Sequence, residues 1–290
     1  MPFQFKKSET PEKAVRRVCR EHLGRARARL RHPDHPAAIH GVRKEIKKLR
    51  SVLRLIREEI GRTIYCKSIK SLRQAASQFA ASRDARVMCQ AFRELSAGRA
   101  GQFPRIGAAL ANHARREARH FRRGNSAMLA KRLLLKTDRR VEDLKIKAVG
   151  WAAIESGLRE SYRRGRAVQE RVQRQPLPEY FHRWRKHVKD LWYYFRLLKP
   201  AWPAEVRSLM DELDRLGEHL GDDHDLTLLQ EFIAAHLSAS DGESEELNRL
   251  ILARQKELRS AALALGDRVY AESPTALCRR LKTHWKHWRK

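Results

Sequence analysis

Basic side chains recur at helical spacing in two separate stretches of the sequence, at positions 38–57 and 180–199. Successive members are three or four residues apart, except where Trp192 interrupts the second row, and this spacing places them along one side of an α-helix. Guanidinium, ammonium and imidazolium groups arranged in this way bind phosphate and other anions. The first row comprises His40, Arg43, Lys47, Arg50, Arg54 and Arg57, and the second comprises His182, Arg185, Lys189, Arg196 and Lys199.

The first row is long enough for a chain of anions. From His40 to Arg54 it extends about 21 Å, at about 1.5 Å per residue. A solvated helix face is the alternative, but such faces mix signs, and like charges four residues apart repel by a few tenths of a kcal/mol. His40 and His182 both stand near a helix N-terminus, where the helix dipole favours anions. We therefore interpret the rows as a polyanion-binding surface.

An apolar seam accompanies each charged row at the same spacing. Because each seam begins one residue earlier, it lies about 100° around the helix from the basic residues. Each helix is therefore expected to bury its seam and to hold its charged row at the edge of the core. The seams are Ile39, Val42, Ile46, Leu49, Leu53 and Ile56 in the first helix, and Phe181, Trp184, Val188, Leu191, Phe195 and Leu198 in the second.

Helical periodicity continues through the rest of the chain, and no sustained alternation typical of strands appears. Thr10 before Pro11 has the signature of a helix start, and the segment before Pro274 repeats it. The polar segment Leu237–Glu246 is predicted to be a loop. The sequence thus predicts an all-α fold, with helices at about 11–31, 36–60, 62–97, 102–136, 141–174, 178–199, 204–236, 243–271 and 274–290.

The two stretches also indicate an internal duplication. A shift of 142 positions aligns His40 with His182 and gives seven identities over the 18 positions 39–56. Nearly the same shift aligns Asp84 with Asp225. We therefore divide the chain into a short leader, 1–10, and two repeat halves, 11–140 and 141–290. Each half holds roughly four helices, which is the size of a helical bundle.

Composition narrows the class of partner. The 290 residues include 63 Lys and Arg against 34 Asp and Glu, a formal charge of +29. Positive charges in this number repel one another and weaken the compact state, which favours a polyanionic partner: nucleic acid, an anionic membrane surface or a phosphate polymer. No apolar run reaches the roughly 20 residues of a membrane span, and no signal peptide is recognisable, so we expect a cytoplasmic protein. The four cysteines stand singly, which argues against a zinc site.

The charged stretches resemble a known family. The segments IHGVRKEIKKLRSVLRLI and FHRWRKHVKDLWYYFRLL are similar to the two signature helices of the CHAD family, the conserved-histidine α-helical domain. SRDARVM and LGDDHDLTLL resemble the Asp-containing segments that follow them. The resemblance covers about 11–290 as a single domain. It implies two four-helix bundles related by pseudo-twofold symmetry, which bind inorganic polyphosphate through a strongly basic central groove or pore.

The resemblance also implies which residues contact polyphosphate. Trp192 departs from the basic residue expected at its position, so the two halves are expected to bind unequally. Whether both rows face one groove depends on how the halves pack. The implied contacts are His40, Arg43, Lys44, Lys47, Arg50 and Arg54 in the first half, and His182, Arg185, Lys186, Lys189 and Arg196 in the second.

Two further groups of residues carry weaker expectations. Alignment of HARREAR with LARQKEL suggests a second basic helix in each half, contributing Arg115, Arg119 and Arg254 to polyphosphate binding; a solvated arginine face is the alternative. Asp84 and Asp225 are expected to cap a helix or to orient an arginine of the rows. Because the first half has no counterpart to the cluster Asp222, Asp223, His224 and Asp225, we predict no metal site there.

No catalytic motif accompanies the basic rows. The sequence lacks the Glu-x-Glu-x-Lys string of the CYTH enzymes to which some CHAD domains are fused, and it lacks a P-loop. We therefore predict a binding module without a cofactor, which family resemblance would place at polyphosphate granules. One alternative is a nucleic-acid-binding protein that stacks bases on Trp285 and Trp288. Their helical spacing with Leu277 and Leu281 favours core packing. Another alternative is a metal-dependent polyphosphate-processing enzyme.

Overall fold

The computed structural model describes residues 3–33, 36–237 and 242–290. In these ranges the regular secondary structure consists of α-helices and short 3₁₀ turns, without a strand. The all-α prediction is confirmed. No helix in these ranges is both long and apolar enough to cross a membrane. The helices are α1 Pro11–Arg29, α2 Pro36–Leu55, α3 Arg62–Ser77, α4 Ala80–Leu95, α5 Pro104–Arg123, α6 Ser126–Glu142, α7 Ala152–Arg174, α8 Pro178–Leu198, α9 Pro203–His236, α10 Gly242–Val269 and α11 Pro274–Arg289.

Two of the predicted helix starts are confirmed by their capping hydrogen bonds. The backbone N–H of Lys13 donates to the hydroxyl oxygen of Thr10 at 3.3 Å. At the start of α11, the backbone N–H of Ala276 donates to the hydroxyl oxygen of Ser273 at 3.1 Å. Each cap satisfies one backbone donor that the first helical turn leaves without a partner.

The predicted helix 62–97 is instead two helices, α3 and α4. The chain leaves helical geometry at Phe79, where φ is −115° and ψ is 7°. This turn buries the Phe79 ring completely and brings it to 5.8 Å from the ring of Phe121, measured between centroids. The break serves a tertiary aromatic contact, which the periodicity of the segment does not reveal.

Three other boundaries differ from the prediction. The predicted helix 102–136 breaks at Gly124, whose ψ of 168° is extended, and its second part continues as α6. The predicted helix 141–174 begins only at α7, because carboxylates of Glu12 and Glu59 accept the backbone N–H groups of Ile146 and Ala148 in the connector. Part of the predicted loop, 242–246, belongs to α10, and positions 238–241 lie outside the described residues.

The two apolar seams occupy the core as predicted. In the first seam, four residues of α2 and Ile56 just beyond it are each at most 1 % exposed, and Ile39 packs against the core half-buried. In α8 all six seam residues are at most 3 % exposed. Burying seams of this size supplies much of the hydrophobic stabilisation, and it fixes the rotation of both helices about their axes.

A second apolar cluster draws on both halves of the sequence. It lies among α4, α5, the C-terminal part of α9 and the N-terminal part of α10. Each sequence half therefore contributes to a shared cluster, while the duplication itself stays a prediction. Its buried members are Ala85, Met88, Ala91, Phe103, Ile106, Leu110, Leu226, Leu229, Phe232, Ile233, Leu247, Ile251 and Leu258.

The N-terminal segment packs on the domain from which we had separated it as a leader. Phe3 and Phe5 are buried in the main core. The backbone N–H of Phe5 donates to the carbonyl oxygen of Leu197 at 3.0 Å, and its ring meets the edge of Trp285. Residues 3–10 are thus held by aromatic burial, and residues 1 and 2 lie outside the described ranges.

Candidate anion-binding pocket

Four members of the charged row on α2 and three of the row on α8 line one pocket of about 250 Å³, which α4 and α9 complete. The two helices pack against each other, so the seams that enter the core leave the rows beside the same cavity. The lining residues are Arg43, Lys47, Arg50 and Arg54 from α2; Arg83 and Asp84 from α4; His182, Arg185, Lys186, Lys189, Asp190 and Tyr193 from α8; and His224 from α9.

The basic residues of α2 are positioned by backbone and acidic groups on neighbouring helices. Arg43 donates from Nη1 to the carbonyl oxygen of Ala76 at 3.0 Å. Ala76 lies in the last turn of α3, where carbonyl groups lack intrahelical partners. Arg54 forms an ion pair with Asp190 of α8. These contacts hold the side chains of Arg43 and Arg54, the first and last residues of α2 that line the pocket.

Glycines on α9 leave room for two basic side chains of α8. A Cβ atom at Gly217 would lie 2.7 Å from Cε and Nζ of Lys189. One turn further along, a Cβ at Gly221 would lie 3.5 Å from Nε and Nη2 of Arg185, an ordinary contact distance. Because the two glycines are four residues apart, they share one face of α9.

Positive charge exceeds negative charge in the pocket. Eight Lys and Arg side chains and two Asp side chains line it, so its formal charge is +6 when the histidines are neutral. Arg83 neutralises two of the nearby carboxylates, because it pairs with Asp84 at 2.9 Å and with Asp225 at 3.2 Å. Lys189 pairs with Asp214 at 3.3 Å, at the edge of the site.

The pocket disfavours the charged forms of Lys47 and Arg50. Desolvation, followed by repulsion from Arg185 and Arg43, lowers the pKa of Lys47 to about 7. Lys47 keeps accessible surface, but that surface lines the pocket, whose walls replace part of the surrounding water. Desolvation, followed by repulsion from Arg54, also lowers the pKa of Arg50 to about 10. A bound anion would favour the charged forms of both side chains and raise their pKa values again.

Two imidazole rings meet in the pocket. The ring centroids of His182 and His224 lie 4.2 Å apart, and the ring planes are inclined by 40°. Desolvation, followed by repulsion from Lys186, lowers the pKa of His182 to about 4. Desolvation, followed by repulsion from His182, lowers the pKa of His224 to about 3. Both rings are therefore neutral at neutral pH in the free protein.

Three pocket residues carry buried nitrogen atoms without a hydrogen-bond partner among the described residues. They are Nε of Arg50, Nε of Arg185 and Nδ1 of His182. Buried polar groups are normally hydrogen-bonded, because leaving one without a partner costs about 1–3 kcal/mol. Such unpaired groups beside a cavity are typical of a binding site.

Comparison with known proteins agrees with this arrangement. The family model described as "CHAD domain" matches residues 14–234. The chain belongs to the CHAD domain family. No curated protein matches it. Among solved structures, the crystal structure of the CHAD domain from the plant Ricinus communis is similar, at 20 % sequence identity and a TM-score of 0.64 over 89 % of each chain. That likeness establishes the fold.

Not every predicted contact of the CHAD signature lines the pocket. His40 and Lys44 are exposed on α2 and do not line the pocket. Desolvation, followed by repulsion from Lys44 and Lys47, lowers the pKa of His40. Arg196 instead places its guanidinium 5.2 Å from the ring centroid of Trp192. Trp192 therefore contributes a π-face to a neighbouring cation where the CHAD pattern has a basic residue.

The suggested second basic helices lie away from the pocket. Arg115 and Arg119 are on the exposed face of α5, and Arg115 donates to the side-chain oxygen of Asn112 at 2.8 Å. Arg254 is exposed on α10 and pairs with Glu257 at 2.8 Å. Both helices turn their apolar residues into the second cluster, which directs these arginines outwards. Alignment of the repeats could not indicate that direction.

Several pocket residues were missed or only partly anticipated. Arg83 was overlooked, although it stands beside Asp84 in the CHAD-like segment SRDARVM. Asp84 and Asp225 do orient an arginine, as expected, but it is Arg83 and not a member of the rows. Tyr193 is a buried residue of α8 with no signal of function in the sequence.

The acidic cluster on α9 does not converge. Asp223 pairs with Arg259 at 2.6 Å, and Asp225 pairs with Arg83. His224 packs on His182. Across the ranges that the structure describes, no group of three or more His, Cys, Asp or Glu side chains is arranged to hold a metal ion.

Proposed function

We propose that this CHAD domain binds inorganic polyphosphate in the pocket between α2 and α8, as a binding module without catalytic activity. One observation carries the proposal: basic rows from two sequence-distant helices line a single cavity with a formal charge of +6. Membership of the CHAD family, which is associated with polyphosphate binding, supports the same ligand.

A linear phosphate polymer suits this geometry. Arg43 and Arg54 are eleven residues apart on one helix, so their row spans about 16 Å at 1.5 Å per residue. Successive phosphates along that length can each meet a fixed cation. Arginine grips phosphate through two parallel hydrogen bonds, whereas lysine acts as a point charge. Counterions released from the polymer provide the entropic drive.

The energetic state of the free pocket favours an anion of high charge density. Desolvation, followed by repulsion from neighbouring positive charges, lowers the pKa values of Lys47 and His182. Phosphate oxygens would neutralise this repulsion and accept hydrogen bonds from donors such as Nε of Arg185. The side chains are already held on packed helices, so little conformational entropy is lost on binding.

The absence of catalysis is part of the proposal. The two carboxylates that line the pocket, Asp84 and Asp190, are each engaged with an arginine. We therefore expect no phosphate release when polyphosphate is incubated with the protein and Mg²⁺ or Mn²⁺. Release that requires the intact pocket would contradict a purely binding role and would support a metal-dependent polyphosphate-processing enzyme.

The decisive experiment is a titration of the double variant Arg43→Glu/Lys47→Glu with long-chain polyphosphate. Reversing two charges removes two phosphate contacts, each worth about 1.5–3 kcal/mol, so affinity should fall more than about a hundredfold. The matched control, Arg115→Glu/Arg119→Glu, changes the same net charge outside the pocket. Equal losses in both variants would show that net charge, not the pocket, determines binding.

Salt dependence and competition test the ligand class. If about six phosphates replace counterions at the pocket, the logarithm of the affinity should fall with the logarithm of salt concentration with a slope of about −4. Duplex and single-stranded DNA should compete weakly at matched salt, since Trp285 is buried and Trp288 packs against the core instead of presenting a face for bases. Equal affinity for DNA would refute polyphosphate preference.

Recruitment to polyphosphate granules is the cellular expectation of the proposal. A fluorescent fusion of the chain should accumulate at granules in cells that store polyphosphate. The Arg43→Glu/Lys47→Glu fusion should remain dispersed at the same expression level. Co-localisation that survives this double reversal would indicate recruitment through another surface.

A further inference from the structure

Helix α6 presents apolar side chains to solvent on a surface remote in sequence from the pocket rows. Met128 is 58 % exposed, Leu129 41 % and Leu135 38 %. They are three of the six large apolar residues that are exposed in the described part of the chain. Scattered exposed apolar residues are ordinary, but a concentration on one short helix indicates a surface that is covered in function.

Basic residues share the exposed face of α6 with these apolar residues. Lys131, Arg132 and Arg139 lie three, four and eleven residues after Met128, so helical geometry brings them to the same side. All three are exposed. The opposite face buries Ala130, Leu134, Thr137 and Val141. That buried face packs against α1 and α3, which directs the mixed apolar and basic face outwards.

Acidic residues do not neutralise this face. Between positions 115 and 139 the sequence has nine Lys and Arg but only two acids, Glu117 and Asp138. Asp138 is turned away from the face and pairs with Arg27 of α1 at 2.8 Å. Glu117 lies on α5, 3.8 Å from Arg116. No ion pair engages Lys131 or Arg132 in the described residues, so their charges remain available.

The last two turns of α5, which a short turn at Gly124 joins to α6, carry further exposed basic residues. Arg119, Arg122 and Arg123 are exposed there, immediately before Gly124. None of them lines the pocket. We define the α5–α6 surface as these three arginines together with the exposed residues of α6, namely Met128, Leu129, Lys131, Arg132, Leu135, Lys136 and Arg139.

We propose that the α5–α6 surface docks the protein on an anionic phospholipid bilayer. Interfacial helices of this kind combine Lys and Arg with apolar side chains that enter the boundary between headgroups and acyl chains. The lipid phosphates and anionic headgroups complement the arginine and lysine side chains, and the acyl boundary accommodates Met128 and Leu135. A nucleic-acid partner would account for the positive charge of this surface but not for its apolar residues. The surface exposes aliphatic side chains and no aromatic ring on which a base could stack.

Docking and polyphosphate binding use different residues. The α5–α6 surface therefore acts independently of the pocket, and a protein that binds both would bring polyphosphate to a membrane surface. The inference does not depend on the proposed function of the pocket: Arg43→Glu/Lys47→Glu should lose polyphosphate binding while retaining attachment to vesicles.

Vesicle co-sedimentation tests the proposal with the full chain. We expect binding to phosphatidylcholine vesicles that contain about 30 % phosphatidylserine, which gives a negative surface potential, and little binding to phosphatidylcholine alone. Lys131→Gln/Arg132→Gln should lower the partition coefficient about twenty-five-fold, about fivefold for each charge. Met128→Ser/Leu135→Ser should lower it about tenfold with the charge unchanged, because two inserted apolar side chains are lost.

A matched apolar control comes from exposed residues elsewhere. Val149→Ser/Leu252→Ser removes a similar pair of side chains and should leave vesicle binding unchanged. The α6 variants and the Val149→Ser/Leu252→Ser control should keep the wild-type thermal midpoint, since each of their substituted side chains is exposed. Undiminished binding of Met128→Ser/Leu135→Ser, or binding that ignores phosphatidylserine, would overturn the proposal. Duplex DNA binding that falls in parallel for the charge and apolar variants would assign the surface to nucleic acid instead.

Discussion

Polyphosphate binding should take up protons, because the pocket holds Lys47 and two histidines in their less charged forms. The pKa of Lys47 is lowered to about 7, and those of His182 and His224 to about 4 and about 3, in each case chiefly by desolvation. A polyanion within contact distance favours the protonated form of all three groups. Their pKa values should therefore return towards or beyond the values of free side chains on binding.

The number of protons follows from these values. At about pH 8, Lys47 is about nine-tenths deprotonated in the free protein and protonated in the complex, so binding takes up about one proton. At about pH 5.5, His182 and His224 are neutral in the free protein, and because the two contacting rings repel each other when both are charged, binding takes up about one to two protons at the pair. Affinity should accordingly rise as pH falls, and the gain from Lys47 is lost as pH rises through its pKa in the complex.

Titration calorimetry in two buffers of different ionisation enthalpy measures this uptake at each pH. The variant Lys47→Met should lose the proton taken up at about pH 8 and keep the uptake at about pH 5.5. The variant His182→Gln should show the opposite pattern, with about one proton fewer at the lower pH. Binding without proton uptake at either pH would refute the argument that the free pocket suppresses its own charge.

Three further predictions concern the supports of the pocket. Gly217→Ala should displace the Lys189 ammonium group and weaken polyphosphate binding about fivefold. Thermal stability should not fall, since alanine favours a helix by about 1 kcal/mol relative to glycine. Gly221→Ala, whose new Cβ would make an ordinary 3.5 Å contact, is the control, and equal weakening by both variants would contradict the steric account. Asp190→Asn should tighten polyphosphate binding at low salt, because a negative charge is removed from the pocket. It should also lower the denaturant midpoint of unfolding, because Arg54 loses its partner in a partly buried site. If neither the affinity nor the midpoint changed, the ion pair would have no role in binding or stability. The unliganded protein should lose thermal stability as pH falls from about 6.5 towards 4, because the unfolded chain binds more protons at His182 than the native state does; a midpoint that rises over this range would contradict the lowered pKa.

Local periodicity was sufficient to predict the parts of the site that come from single helices. The seams of α2 and α8 are buried as predicted, and four members of the first row and three of the second line the pocket; Lys186 also lines it, but only the family resemblance named that residue. The reason is physical: a helix rotates residues by a fixed angle, so burial of one face determines where the neighbouring face points.

Residues supplied by other helices depended on tertiary packing and could not be predicted in this way. Arg83 and His224 enter the pocket because α4 and α9 pack across the sequence halves. The break at Phe79 positions α4 for that contact, and it follows from an aromatic pair whose members are 42 positions apart. Arg115 and Arg254 lie outside the pocket, and their role in polyphosphate binding stays a prediction, because an alignment of two segments does not say which face of a helix is turned inwards.

The apolar cluster that both sequence halves share has a consequence for the origin of the chain. A half consisting of residues 11–140 alone would expose Met88, Phe103 and Ile106, whose covering residues lie on α9 and α10. If the chain arose by duplication, its single-copy ancestor needed a second subunit to cover that surface. On that hypothesis the ancestor would have been a symmetric homodimer, and fusion of its genes would have freed aligned positions, such as those of Arg50 and Trp192, to diverge.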